Sequence, residues 1–230
     1  MKKAILFDKD GTLVLYRDFW FPVAEYAIET VLSAVAANPE LKTEILEELG
    51  VNQGIRGILC YGTFHETVDT VNRVLSKYGI QAEEQLIVDA FHAGSAHGKI
   101  VPPCKDLEGV LLRLREKGYQ LFVVTSDDLP TTLCCLNALG ITEQFEEIYT
   151  YDGIHPPKPD PYYIEKICQD YGFSKEELLM VGDTQNDLNF AKNGGIDAVA
   201  VALSEEEKQL LEPDALYVIH DVSGLENLVF

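Results

Sequence analysis

From Leu111 to the C-terminus this chain alternates short apolar runs with helix-patterned stretches. Few architectures other than a parallel sheet with crossover helices accommodate that rhythm, because each crossover must carry the chain back before the next strand can run the same way. The strand candidates are Leu121–Val124, Glu147–Tyr149, Leu179–Val181, Ala198–Val201 and Leu216–Ile219, and one further run, Ala4-Ile5-Leu6, stands apart near the N-terminus. Helical patterning covers Glu108–Lys117, Pro130–Leu139, Tyr162–Tyr171, Asp187–Asn193 and Ser204–Leu211. Pro130 in a first turn, Gly140 after a last turn and Ser174 opening Ser-Lys-Glu-Glu supply start and stop signals.

Between about Leu15 and Ile100 the rhythm stops. Phe19–Ala37, Leu41–Leu49, Phe64–Tyr78 and Glu83–Ala96 are helix-patterned, with no convincing strand among them. With 230 residues, 47% of them apolar, the chain has room for one large domain or a domain plus a smaller insert. The expectation is an α/β core, residues 1–15 plus 100–230, interrupted after its first strand by an all-helical domain over residues 16–99. The connections near Val14–Tyr16 and Gly98–Pro103 are plausible hinges.

Charge narrows the partners. Thirty-eight acids against 18 bases give a formal charge of −20. Such a surface repels nucleic-acid phosphates and anionic lipid, so neither is an expected partner, and an anionic substrate needs a local cation. The cysteines at 60, 104, 134, 135 and 168 form no CxxC pair and no His/Cys zinc spacing, which fits reduced thiols. No apolar run approaches the roughly 20 residues of a membrane span. The first strand begins too early to leave room for a signal peptide, and the expected location is cytoplasmic.

Polar residues gather where the strands end. Asp8 and Asp10 lie in Phe7-Asp8-Lys9-Asp10-Gly11-Thr12, directly after the first apolar run. Ligands of open parallel sheets sit beyond the carboxyl ends of the strands, and residues i and i+2 share a side. Two acids there could divide labour, one as nucleophile or metal ligand and the other as proton donor. The same residues also suit an ordinary Asp-Gly turn. Thr125-Ser126-Asp127 follows the Leu121–Val124 run and enters a helix, which makes either an anion site or a plain N-cap. Lys158 precedes Pro159-Asp160-Pro161; proline restricts the backbone on both sides, although a solvated loop lysine is the simpler reading of that segment alone. Gly182-Asp183-Thr184-Gln185-Asn186-Asp187 ends another strand, and carboxylates without nitrogen or sulfur neighbours suit a hard cation, Mg²⁺ first. Asp187 also suits a helix cap.

Taken in order, Asp-x-Asp-Gly-Thr, a Thr after a strand, Lys-Pro and Gly-Asp-x-x-x-Asp resemble the haloacid dehalogenase-like hydrolase superfamily, and the likeness runs the length of the chain. Within it the sequence looks most like the phosphoglycolate phosphatase and β-phosphoglucomutase branch, which carries a helical cap domain after the first motif. Glu108-Gly109-Val110-Leu111-Leu112, Gly118-Tyr119, Asn193-Gly194-Gly195-Ile196-Asp197 and Glu212-Pro213-Asp214-Ala215 extend the likeness. The resemblance implies a Rossmann-like parallel core with an inserted helical cap, and a Mg²⁺-dependent phosphatase acting on a small phosphorylated metabolite. It implies Asp8 as nucleophile forming an aspartyl phosphate, and Asp10 as acid and then base. It further implies metal held by Asp8, the Asp10 carbonyl and Asp183 with Asp187 close behind, phosphoryl oxygens held by Thr125, the Ser126 amide and Lys158, and Thr12 orienting Asp10.

Four other readings follow the same residues less well. A phosphoglucomutase-type transferase would need a sugar-positioning feature in the helical insert, and none is identifiable. A receiver-like signalling module is shorter and has no such insert. Dehalogenation does not need the acid at position 10, and Schiff-base phosphonate cleavage needs a suitably placed insert lysine, for which Lys42 and Lys77 are poor candidates. Substrate specificity is expected from the insert, where Arg56, Tyr16 and Thr63 are the candidates and a glycine-flanked loop spans Gly54 to His65. Trp20 reads as core, Cys134 and Cys135 as packing residues, and His65, His92 and His97 as ordinary polar residues.

Overall fold

The structure is a computed structural model that describes residues 1–51 and 57–228. Among the described residues six strands form one sheet: β1 (Ala4–Phe7), β2 (Gln120–Val124), β3 (Glu147–Tyr149), β4 (Leu178–Gly182), β5 (Asp197–Val201) and β6 (Tyr217–Ile219). Every pairing is parallel and the order is β3-β2-β1-β4-β5-β6. The strand order reverses between β1 and β4, the position at which open α/β sheets open a crevice for ligands.

Ten helices occur among the described residues. Five lie in the helical insert: α1 (Tyr16–Ala34), α2 (Leu41–Glu48), the single turn α3 (Ile58–Tyr61), α4 (Phe64–Lys77) and α5 (Glu84–Gly94). The others are α6 (Leu107–Glu116), α7 (Leu129–Ala138), α8 (Tyr162–Tyr171), α9 (Gln185–Gly194) and α10 (Glu205–Leu211). Backbone contacts divide the chain into two compact units, Met1–Leu15 with Pro102–Phe230 and Tyr16–Val101.

The sheet unit is held by strands apolar on both faces, as a parallel sheet covered on two sides requires. Ile5, Phe7, Leu121, Val123, Leu179 and Val181 pack on one face with Leu107, Val110, Leu111 and Leu114 of α6. Their strand neighbours Leu6, Phe122 and Met180 are equally buried and face the other way, where Phe122 meets Tyr171 of α8 edge-on with ring centroids 4.8 Å apart. Ser174 does cap, but only one 3-10 turn, Lys175–Glu177, because β4 begins at the next residue and leaves no length for a helix.

In the helical unit α1 carries the apolar stripe, with Phe19, Val23, Ala27, Ile28 and Val31 fully buried. Pro22 lies inside this helix and has no N–H to give the carbonyl of Asp18. The backbone N–H of Lys99 donates to that carbonyl instead at 2.9 Å, so the returning chain closes the gap that proline leaves. The expected loop between Gly54 and His65 is corrected in part. Its described portion forms the helical turn α3, with the Gly62 N–H donating to the Ile58 carbonyl and Leu59 buried, while residues 52–56 lie outside the described residues.

Candidate active site

Asp8 is the first residue past β1, and its N–H donates to the Val181 carbonyl of β4 at 2.9 Å. That bond sets the Asp8 carboxylate beside the end of β4, where Asp183 follows one residue after the strand. The chain then reverses tightly. The N–H groups of Leu13 and Val14 both donate to the Lys9 carbonyl, and Gly11 N–H donates to Val14. Gly11 takes φ +76° at the apex, and a Cβ built there would fall inside the Asp183 carboxylate. Gly11→Ala should therefore cost more than the roughly 1–2 kcal/mol of left-handed strain alone, because Asp183 must also move; urea midpoints of the two proteins measure it. A Cβ on Gly182 would likewise overlap the side chain of Asp187.

Oxygens of Asp8, Asp183 and Asp187 lie within 4.8 Å of one another, and all three residues are buried. Lys158 arrives from the loop after β3, and its Nζ donates to Asp8 Oδ1 at 2.7 Å and to Asp187 Oδ1 at 2.6 Å. Two asparagines of α9 pin that loop: Asn186 Nδ2 donates to the Lys158 carbonyl at 3.3 Å and Asn193 Nδ2 to the Pro159 carbonyl at 2.9 Å. Asp187 serves twice, because its Oδ2 accepts from the Thr184 N–H at 3.1 Å and hydroxyl at 2.7 Å in the capping box that starts α9. The helix cap and the partner of Lys158 are thus one side chain.

Three buried acids near one lysine leave an excess of negative charge. Burial pushes the Asp8 carboxyl up to about 7 against the pull of Lys158, with Asp187 and Asp10 adding to the rise. Asp183 is raised well above the ordinary range, by burial first and then by Asp8 and Asp187. For Lys158 burial acts to lower the value, but the attraction of Asp187 and Asp8 outweighs it, and the ammonium is held more firmly than usual. Asp183 Oδ1 is buried with no hydrogen-bond partner. An orphaned carboxylate oxygen among further carboxylates, all hard oxygen donors, fits a divalent cation such as Mg²⁺.

A second charged cluster adjoins the first and has no counterpart in the sequence reading. Lys9 is fully buried, with its Nζ 2.6 Å from Asp10 Oδ1 and 3.0 Å from Asp127 Oδ2. Burial acts to lower the Lys9 value, and Asp10 and Asp127 overcome it and raise it. Asp127 is itself pushed up to about 7 by burial, opposed by Lys9. The sequence signal for this cluster is a lysine between two motif acids at a strand end. Thr12 is corrected here: its hydroxyl is buried without a partner, so the side chain that contacts Asp10 is Lys9.

At the end of β2, Thr125 Oγ1 accepts the Asp127 N–H at 3.2 Å, which leaves the hydroxyl hydrogen for another acceptor. Ser126 Oγ is buried with no hydrogen-bond partner. The N-cap of α7 is Asp128, whose carboxylate accepts from Thr131 N–H at 2.8 Å, so Thr125 and Ser126 are not spent on capping that helix.

Of the candidate specificity residues, Tyr16 starts α1 as a buried ring edge-on to Phe21. Thr63 is accounted for by helix capping. Its hydroxyl accepts the Glu66 N–H at 3.2 Å, and Glu66 Oε2 takes the Thr63 N–H at 2.7 Å. Thr63→Ala is expected to cost about 1 kcal/mol through that lost cap, read from denaturant midpoints. Arg56 lies outside the described residues. Lys42 and Lys77 are held in surface ion pairs with Glu29 at 2.6 Å and Glu44 at 2.9 Å. Cys135 is fully buried as expected, whereas Cys134, one position round the helix, is exposed rather than packed. No described helix is long and apolar enough to cross a membrane.

A family model described as haloacid dehalogenase-like hydrolase matches residues 2–195. A pyrophosphatase PpaX from Halalkalibacterium halodurans is 30% identical over 152 residues, which are 65% of this chain and 70% of that protein. A phosphoglycolate phosphatase from Vibrio cholerae is 26% identical over 230 residues, 99% of this chain and 96% of that protein. A crystal structure described as a predicted phosphoglycolate phosphatase from Haemophilus somnus shares the fold, with a TM-score of 0.74 at 19% identity over 98% of this chain and 97% of that one.

Proposed function

This chain belongs to the haloacid dehalogenase-like hydrolases, and from that footing we propose that it is a Mg²⁺-dependent phosphatase acting on a small phosphorylated metabolite through an aspartyl phosphate on Asp8. The observation that carries the proposal is the meeting of Asp8, Asp183 and Asp187 around the Lys158 ammonium, with one Asp183 oxygen left unpartnered. Asp8, Asp183 and the Asp10 carbonyl would hold the cation, with Asp187 close behind. When bound, Mg²⁺ offsets the repulsion between an anionic nucleophile and an anionic substrate.

The chain's own groups then divide the reaction. An Asp8 carboxylate oxygen forms a bond to phosphorus as the bond from phosphorus to the leaving oxygen breaks. Asp10 gives its proton to that oxygen. In the second half Asp10 takes a proton from water, whose oxygen attacks phosphorus and releases the Asp8 carboxylate with inorganic phosphate. Lys158, the Thr125 hydroxyl and the Ser126 N–H hold phosphoryl oxygens and stabilise their charge in the transition state. The ammonium is the local cation that a chain of charge −20 needs to attract such a substrate.

The named relatives include a pyrophosphatase and a phosphoglycolate phosphatase, so the substrate panel should hold pyrophosphate and phosphoglycolate and add a triose phosphate, a hexose phosphate and p-nitrophenyl phosphate. Phosphate should be released from at least one small substrate in MgCl₂, stop with EDTA and return with added Mg²⁺. No release across the panel, or release indifferent to EDTA, would overturn the assignment. Isomerisation of the hexose phosphate without net phosphate release would favour the transferase.

A further inference from the structure

A fully buried lysine needs a reason, because moving its charge out of water costs several kcal/mol before any pairing. An apolar side chain of similar volume in place of a buried ion pair is often neutral or stabilising, so fold stability alone does not account for the Lys9 cluster. Its geometry suggests another use. Asp127 is fixed from four directions: Oδ1 accepts the Asp128 N–H at 2.8 Å, Oδ2 meets Lys9 at 3.0 Å, its N–H donates to Thr125 Oγ1 at 3.2 Å and its carbonyl accepts the Tyr151 N–H at 2.9 Å. Lys9 carries that fixity onward to Asp10 Oδ1 at 2.6 Å. With no exposed surface, the flexible lysine stem is confined by packing as well as by Asp10 and Asp127.

We propose that Lys9, anchored by Asp127, is a positioning residue that holds the Asp10 carboxylate by one oxygen and so orients it for proton transfer to the leaving group. The proposal rests on the reading of Asp10 as the acid. One oxygen of the carboxylate stays with Lys9 while the proton travels through the other. The backbone N–H of the same anchor donates to the Thr125 hydroxyl oxygen, so a single residue ties the proposed acid to a proposed phosphate-binding residue. A proton relay works only when donor and acceptor come within hydrogen-bond reach, and a carboxylate free to rotate spends most of its time out of that reach.

The test compares two leaving groups in the full-length enzyme with Mg²⁺. An alkyl phosphate needs its alkoxide protonated, whereas p-nitrophenolate departs without a proton, and kcat/KM reports only steps up to the first irreversible one. For Lys9→Met combined with Asp127→Asn, which removes both charges together, kcat/KM for the alkyl ester should fall about 10²–10³-fold, within the usual worth of general acid catalysis. The value for p-nitrophenyl phosphate should fall far less. Asp127→Asn alone should show a smaller selective loss, and Lys9→Arg should retain much of the alkyl-ester kcat/KM that the double variant loses. Equal losses on both substrates, or no loss, in a variant with a cooperative thermal transition would overturn the proposal. So would failure of all three variants to fold, which would make the cluster a folding element. A wild-type enzyme that turns over neither ester would instead sink the phosphatase assignment beneath it.

Discussion

Asp8→Asn should abolish phosphate release, by at least about 10⁴-fold, the order of loss seen when a covalent nucleophile is removed. The amide keeps the shape of the side chain but cannot attack phosphorus and is a poorer partner for a cation. The fold should survive the change. Lys158 retains Asp187 at 2.6 Å, and the backbone bond from residue 8 to Val181 is unaffected. At pH 8 the metal-free variant should melt no lower than wild type, because the exchange removes a carboxylate whose charge is disfavoured by burial. Loss of activity with an unchanged or raised melting temperature is the expected pair of results. Retained activity would remove Asp8 from the mechanism, and a collapsed transition would show that its charge is needed for folding.

The metal-free protein should lose stability as pH rises from about 5 to 8, the reverse of the usual behaviour of paired carboxylates. Asp8 and Asp127 are each pushed by burial from an ordinary value of 3.8 up to about 7, and Asp183 moves in the same direction. Between those two values the folded chain binds more protons than the unfolded one, so stability falls with rising pH until the folded-state value is passed. A drop in melting temperature on the order of 5 °C follows from a loss of about 2 kcal/mol in a chain of this length. Mg²⁺ should reverse it. At about 100 times its dissociation constant a ligand of the folded state adds roughly 2.7 kcal/mol. The increment should be larger at pH 8 than at pH 5.5, because the ligands must be deprotonated to bind. Melting curves at both pH values, with Mg²⁺ and with EDTA, measure all four quantities. An increment independent of pH would show that these carboxylates do not hold the ion.

Much of the fold is legible in the sequence. Each strand candidate from Ala4 to Ile219 coincides with an observed strand to within a residue or two; for β1, β2, β4 and β5 the reason is that strands buried on both faces are uninterrupted apolar runs bounded by turns. Helices α1, α2, α4 and α5 were readable from the spacing of their apolar residues, and α3 was not, since one turn between Gly57 and Gly62 has no period to detect. Ser174 showed the opposite failure: a genuine cap signal followed by too few residues to make a helix. At the site, residue types were legible and their pairings were not. Lys158 looked like a loop lysine in its own neighbourhood, and its partner at position 8 is 150 residues away. Thr12 was expected to orient Asp10, yet its buried hydroxyl has no hydrogen-bond partner and Lys9 is the side chain bonded to Asp10.

Sequence alone determined what is local or periodic: which segments are strands, which are helices, and that acids, a hydroxyl and a lysine follow the strands. Tertiary structure decided what those groups do to one another. Ion pairing and carboxylate crowding depend on distances of a few ångströms between segments that meet only when β1 lies between β2 and β4. Coulomb energy falls with distance and rises as water is excluded, so the burial that places Lys9 between Asp10 and Asp127 also gives that arrangement its strength.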